Sequence, residues 1–197
     1  MSKIELLTSG IDVSAIKAEL DAAPEIWNLH PHRKVAYGTD YVQGPHADIS
    51  DIWVRYNDIE NMKGDMSAFN DVHESVWYPE INKIPSVYKA VFDVMRFVCG
   101  ERLGGVLITK IPAGKQCKPH IDNGWHARYY DKFALQIAGN DKQAFCFEGE
   151  SLVTKPGDLF TFNNSFLHWV TNDSDEDRIT LIICIKNLFT KEIPSCH

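Results

Sequence analysis

The sequence predicts a mainly β protein of the α+β kind, with helices in its first half and a β jelly roll in its second. Three observations carry this. Apolar residues recur at helical spacing in two segments before Gly100. From Gly104 onward they alternate with period two, and turn signals separate the alternating runs. The 197 residues are most simply one domain with a sizeable core. We read helical and strand support over 1–103 and the jelly-roll core with any metal site over 104–190.

In chain order, "DVSAIKAELDAAPEIW" places Val13, Ile16, Leu20 and Ala23 on one helical face, with Asp12 or Ser14 as cap and Pro24 near the stop. "VAYGTDYV" and "DISDIWVRYND" look like short strands, followed by a polar loop around "NMKGDMSAFND". "SVYKAVFDVMRFVCGERLGG" is a second amphipathic helix through Val87, Val91, Val94, Met95 and Val98, ending at Gly100 or Gly104. Then come "GGVLITKI", "DKFALQIAG", "QAFCFEG", "ESLVTK", "GDLFTFNN", "FLHWVTN" and "DRITLIICIK". Short strands at this spacing suggest a sandwich, barrel or jelly roll.

Composition narrows the function. A formal net charge of −7 argues against a nucleic-acid backbone as the main partner, which needs clustered Lys and Arg. "MSKIELLTSGIDVS" holds no run fit for a signal peptide, and no stretch is apolar enough to span a bilayer, so no membrane partner is expected. Cys99, Cys117, Cys146, Cys184 and Cys196 are scattered, odd in number and without a CxxC. They read as reduced thiols in a cytoplasmic compartment.

The motif that bears chemistry occurs twice, as "PHAD" at Pro45 to Asp48 and "PHID" at Pro119 to Asp122. The first lies in a Gly-Pro loop and reads as structural. The second lies in the strand-rich half, where His120 and Asp122 of an extended segment project from one face. His168, on a late strand of the same half, supplies a third ligand. Two histidines and a carboxylate on one face of a six-coordinate ion suit non-haem Fe(II), with zinc or manganese open on the same atoms. Ten residues after His168 comes Arg178. Along "RITLIICI", Arg178, Thr180, Ile182 and Cys184 share one face, while Ile179, Leu181, Ile183 and Ile185 form an aliphatic face for a core. An Arg beside a Thr suits a carboxylate, which the guanidinium fork grips in bidentate fashion.

His120-x-Asp122, His168 and Arg178 at these spacings resemble the Fe(II)/2-oxoglutarate-dependent oxygenases, and among them the aspartyl/asparaginyl β-hydroxylase-like branch. The resemblance covers roughly 105–186 and implies a double-stranded β-helix. It also implies Fe(II) with 2-oxoglutarate and O2 as cosubstrates, and hydroxylation with release of succinate and CO2. Position by position, it makes His120, Asp122 and His168 the iron ligands and Arg178 the partner of the distal 2-oxoglutarate carboxylate. The best-known β-hydroxylases lack the carboxylate ligand that Asp122 supplies here. They also carry a basic residue and a histidine on an early core strand, where "DKFALQI" offers Lys132 with Phe133 or Ala134. Lys132 and Thr180 are therefore candidate 2-oxoglutarate contacts, with Arg128 as the other basic choice.

On the substrate side, Arg55 and the loop residues Trp125, His126 and Arg128 of "DNGWHARYY" are candidates, the loop being either a lid or an aromatic connection packed on the roll. The substrate is an unidentified small molecule or peptide, in the branch often an amino acid or protein residue. The rival reading is a cupin-like metal-binding jelly roll without turnover, which nothing in Arg178 would serve.

Overall fold

The structure is a computed structural model that describes residues 2–30, 43–62 and 71–187. The strands are β1 (Ile4–Thr8), β2 (Ser50–Tyr56), β3 (Val76–Trp77), β4 (Gly100–Ile111), β5 (Gln116–His120), β6 (Asp131–Ala138), β7 (Gln143–Phe147), β8 (Glu150–Val153), β9 (Leu159–Phe162), β10 (His168–Asn172) and β11 (Arg178–Asn187). Among the described residues three α-helices accompany them, α1 (Ser14–Ala22), α2 (Pro85–Phe97) and the short α3 (Trp125–Tyr129).

The strands form a seven-stranded sheet, β1-β9-β6-β11-β4-β2-β3, and a four-stranded sheet, β5-β10-β7-β8. The pairs within them are antiparallel. Ile111, Ala134, Phe160 and Phe162 of the large sheet form one apolar cluster with Cys117, Phe145, Phe147 and Val170 of the small one. The two sheets thus pack face to face as a double-stranded β-helix. The expected jelly roll is present, and β1 and β2 from the N-terminal part extend its large sheet. Nothing in the sequence reading anticipated β1.

The alternation along β11 explains how one strand serves two environments. Ile179, Leu181, Ile183 and Ile185 are buried against Ile16, Leu20, Val87, Val91 and Val94 of the two helices. The opposite face turns toward the small sheet. Leu181 is fully buried in that core. Leu181→Ala is therefore expected to cost about 2–5 kcal/mol of unfolding free energy, read by urea denaturation.

Helix boundaries depart from expectation in detail. Val13 occupies the N-cap of α1 without a side-chain cap bond. The Asp12 carboxylate instead accepts the Ser14 N–H at 2.9 Å, one step early. Helix α2 stops at Phe97, and Cys99, not a glycine, takes the left-handed turn at φ +53°. Gly100 already opens β4, where a Cβ would come within 2.5 Å of Ile185 Cγ2. That glycine is needed for close packing, not for stopping the helix. "DISDIWVRYND" contains β2 as expected, while "VAYGTDYV" and most of the loop around "NMKGDMSAFND" lie outside the described residues. Among the described residues, no helix is long and apolar enough to cross a membrane.

Candidate metal centre

The antiparallel pairing of β5 with β10 sets His168 directly opposite His120. Cross-strand partners project from the same face, so the register alone brings the two imidazoles together, with ring centroids 4.3 Å apart. Strand β5 ends at His120, so Asp122 is not placed by strand alternation as the sequence reading had it. A second segment places it: its N–H donates to Asn164 O at 3.1 Å, and Asn164 Nδ2 donates to its Oδ2 at 3.2 Å. One ligand atom from each of His120, Asp122 and His168 lies within 4.8 Å of the others.

Both histidines are turned by the same local device. His120 Nδ1 lies 2.8 Å from Lys118 O, and His168 Nδ1 lies 2.9 Å from Phe166 O. A carbonyl accepts only from an N–H, so each Nδ1 donates to it, and Nε2 is the ring nitrogen left for a metal. His120 Nε2 is 3.6 Å from Asp122 Oδ1. Burial works to raise the Asp122 pKa, but Lys132, with Nζ 3.8 Å away, then His168, His120 and the Asn164 bond hold it below the ordinary carboxylate value. Two basic imidazole nitrogens and an ionised carboxylate, half-shielded from water, are a donor set that a divalent ion fits.

These three residues line a cavity of about 420 Å³. Its other walls include His46, Trp53, Tyr56, Thr109, His126 and Lys132. Lys132 Nζ also donates to Cys184 Sγ at 3.4 Å, which keeps the ammonium beside Asp122. Arg178 and Thr180 are not wall residues. Arg178 lies deeper, 1% exposed, with Nη2 donating to Thr154 Oγ1 at 3.3 Å. Its Nη1 is buried without a hydrogen-bond partner among the described residues. Burial, only partly offset by Cys146, lowers its pKa to about 10. A buried guanidinium with an unused donor and no carboxylate partner among the described residues has the chemistry to receive an anion.

The remaining candidates separate. His126 is buried in the wall, and its Nε2 accepts the Gly105 N–H at 3.1 Å. Gly105 permits this approach, since a Cβ there would meet the Tyr56 ring at 2.9 Å and His126 Cε1 at 3.3 Å. Trp125 stands in a ring cluster with His73, His126, Tyr129 and Tyr130 at centroid distances of 5.4–6.0 Å, which anchors α3 on the roll. Arg128 is exposed. The Arg55 guanidinium lies 5.5 Å over Trp77, outside the cavity wall. His46 is the residue that sequence reasoning left aside. It sits in a loop as expected, yet its ring is 4.6 Å from that of His120. Pro45 O accepts the Lys118 N–H at 2.9 Å, so the two Pro-His-x-Asp segments touch. Their repetition was the available signal.

Burial, then Lys132 and His73, lower the His126 pKa to about 2, against a partial rise from Asp122. The ring is neutral in the folded chain and protonates freely in the unfolded one. Its contribution is thus present above the unfolded pKa near 6.5 and is lost as pH falls below it, by up to about 1.4 kcal/mol per pH unit. Urea unfolding between pH 7.5 and 5 is expected to show that slope. His126→Gln, which keeps an acceptor for Gly105, is expected to flatten it by one proton, and an unchanged slope would refute the assignment.

Residues 13–187 match the family model described as aspartyl/asparaginyl β-hydroxylase. The chain belongs to that family. An aspartyl/asparaginyl β-hydroxylase family member is a hydroxylase, and the Fe(II) cofactor and 2-oxoglutarate cosubstrate that the resemblance implied are those of this enzyme class. Among solved structures, the chain is similar to a 2OG-Fe(II) oxygenase family oxidoreductase from Burkholderia pseudomallei, at 11% identity over 70% of this chain and 67% of the other, TM-score 0.50. It is also similar to the viral collagen prolyl hydroxylase of Paramecium Bursaria Chlorella virus-1, at 10% identity over 95% and 97%, TM-score 0.49. A cupin domain from Bordetella pertussis Tohama I follows, at 19% identity over 44% and 84%, TM-score 0.35. The first of these speaks for the fold alone. A search of curated protein sequences finds no match.

Proposed function

We propose that this family member hydroxylates an unactivated C–H bond at the cavity, with His120, Asp122 and His168 holding Fe(II) and Arg178 holding the distal carboxylate of 2-oxoglutarate. The observation that carries the reading is the pairing of a two-histidine, one-carboxylate cluster with a buried guanidinium that has no anion among the described residues. Bound there, iron and 2-oxoglutarate supply the oxidising chemistry, consuming O2 and releasing succinate and CO2.

The chain's own work is positioning and electrostatics. Lys132 places a positive charge beside Asp122 in the cavity wall, where it could contact 2-oxoglutarate. Phe145, stacked at 5.6 Å on the His168 ring, and Phe162 make the inner wall apolar and keep it dry. His126 and Trp125 support the substrate side, and Arg55 and Arg128 remain outside the wall. The substrate is an unidentified small molecule or peptide. Cys99, Cys117, Cys146 and Cys184 are free thiols, which supports a cytoplasmic setting. A metal-binding jelly roll without turnover leaves the unused Nη1 of the buried Arg178 unexplained.

Anaerobic titration of the apo-protein with Fe(II) and then 2-oxoglutarate tests this. The charge-transfer band of a chelated keto acid is expected in the wild type, lost in His120→Ala, weakened in Arg178→Ala and kept in His46→Ala. No band in folded wild-type protein would sink the reading.

A further inference from the structure

A buried chain of hydrogen bonds lies behind Arg178. It contains Gln136 on β6, Thr154 just past β8, and Arg178 and Thr180 on β11. Gln136 and Thr154 are fully buried, Arg178 is 1% exposed and Thr180 is 7% exposed. Nothing in the sequence pattern singled out Gln136 or Thr154.

The donors and acceptors admit one arrangement. Gln136 Nε2 donates to the backbone carbonyls of Ala138, at 2.5 Å, and Ile179, at 3.0 Å. The amide cannot be reversed, because an oxygen facing two carbonyls would lose both bonds. Gln136 Oε1 is therefore an acceptor, and the hydroxyls of Thr154, at 2.9 Å, and Thr180, at 3.3 Å, donate to it. Thr154 has spent its only hydrogen on Gln136, so its oxygen presents lone pairs to Arg178 Nη2, 3.3 Å away. The guanidinium is thus held along one edge by a neutral acceptor while Nη1 stays free.

We propose that Thr154, oriented by Gln136, is a positioning residue that fixes the direction of the Arg178 guanidinium and thereby sets the length of 2-oxo diacid the site accepts. The proposal rests on the reading of Arg178 as the receptor for the distal carboxylate. A carboxylate in place of Thr154 would have neutralised the guanidinium. A neutral acceptor orients it and leaves its charge for the ligand. A guanidinium held in one place meets a five-carbon diacid reaching from the metal and is poorly matched to a six-carbon one. Released from Thr154, it swings and tolerates either.

The test is calorimetric binding of 2-oxoglutarate and of 2-oxoadipate to the Mn(II)-loaded protein, with Mn(II) affinity and thermal melting measured beside it. Thr154→Val, of the same shape without the hydroxyl, is expected to raise the 2-oxoglutarate Kd about tenfold. Its preference over 2-oxoadipate is expected to shrink about fivefold while Mn(II) affinity holds. Thr154→Ser, which keeps the oxygen, is expected to stay within about twofold of the wild type. Should the valine variant fail to fold, Thr154→Ala carries the same comparison. A folded hydroxyl-less variant with wild-type affinity and preference overturns the positioning role, as does a serine variant as weak as the valine one. A wild-type protein that binds Mn(II) but neither diacid overturns the Arg178 reading itself, and the positioning role with it.

Discussion

Arg178→Met is expected to move two measurements in opposite directions. The wild-type guanidinium is buried with Nη1 unused, so the ligand-free fold bears an uncompensated charge. Methionine fills similar volume without it. Replacing buried ionic groups with apolar ones of similar size is commonly neutral or stabilising, by about 1–4 kcal/mol. The ligand-free variant should therefore melt at or above the wild-type temperature. Affinity for 2-oxoglutarate should fall about 100-fold or more, because a bidentate charge-assisted contact is gone. Melting curves with and without 2-oxoglutarate and Mn(II) read both at once. A variant that loses stability and keeps its response to 2-oxoglutarate would mean that Arg178 is structural.

The second large effect is at His168, whose ring is 3% exposed and packed among Phe145, Phe147 and Phe162. His168→Ala removes a proposed ligand and leaves a cavity. Divalent-metal affinity is expected to fall at least 100-fold, since even outer hydrogen-bond partners of metal ligands are worth 10–100-fold. Stability should fall by about 2–4 kcal/mol from lost packing. Mn(II) titration by electron paramagnetic resonance and urea unfolding separate the two. Retained metal affinity in a folded variant would remove His168 from the ligand set.

The sequence displayed the parts of this site that follow from local rules. Alternation along "RITLIICI" sorted Ile179, Leu181, Ile183 and Ile185 into the core and turned Ile182 and Cys184 to the cavity. The His-x-Asp spacing and the distal histidine named a cluster whose atoms do converge. What stayed hidden depends on contacts between distant segments. Asp122 is placed by Asn164, 42 positions away, because β5 stops before reaching it. His46 reaches His120 because Pro45 bonds Lys118, and no periodicity announces that. Thr180 was expected to face a carboxylate beside Arg178, and its hydroxyl is instead taken by Gln136. Gln136 lies in an apolar strand as one polar residue among aliphatic neighbours, and only the fold shows which donors it meets.

The two histidines belong to the small sheet, and Arg178 to the large one. On the proposed reading, a single small molecule chelated at one end and clasped at the other would span the sandwich and act as a removable cross-link between its layers. Opening of the layers becomes linked to cosubstrate concentration. The amides of β5 and β10 should exchange with deuterium more slowly when metal and 2-oxoglutarate are both present than with either alone. Succinate, one carbon shorter and without the keto group, should protect them less, so completing the reaction would itself loosen the layers.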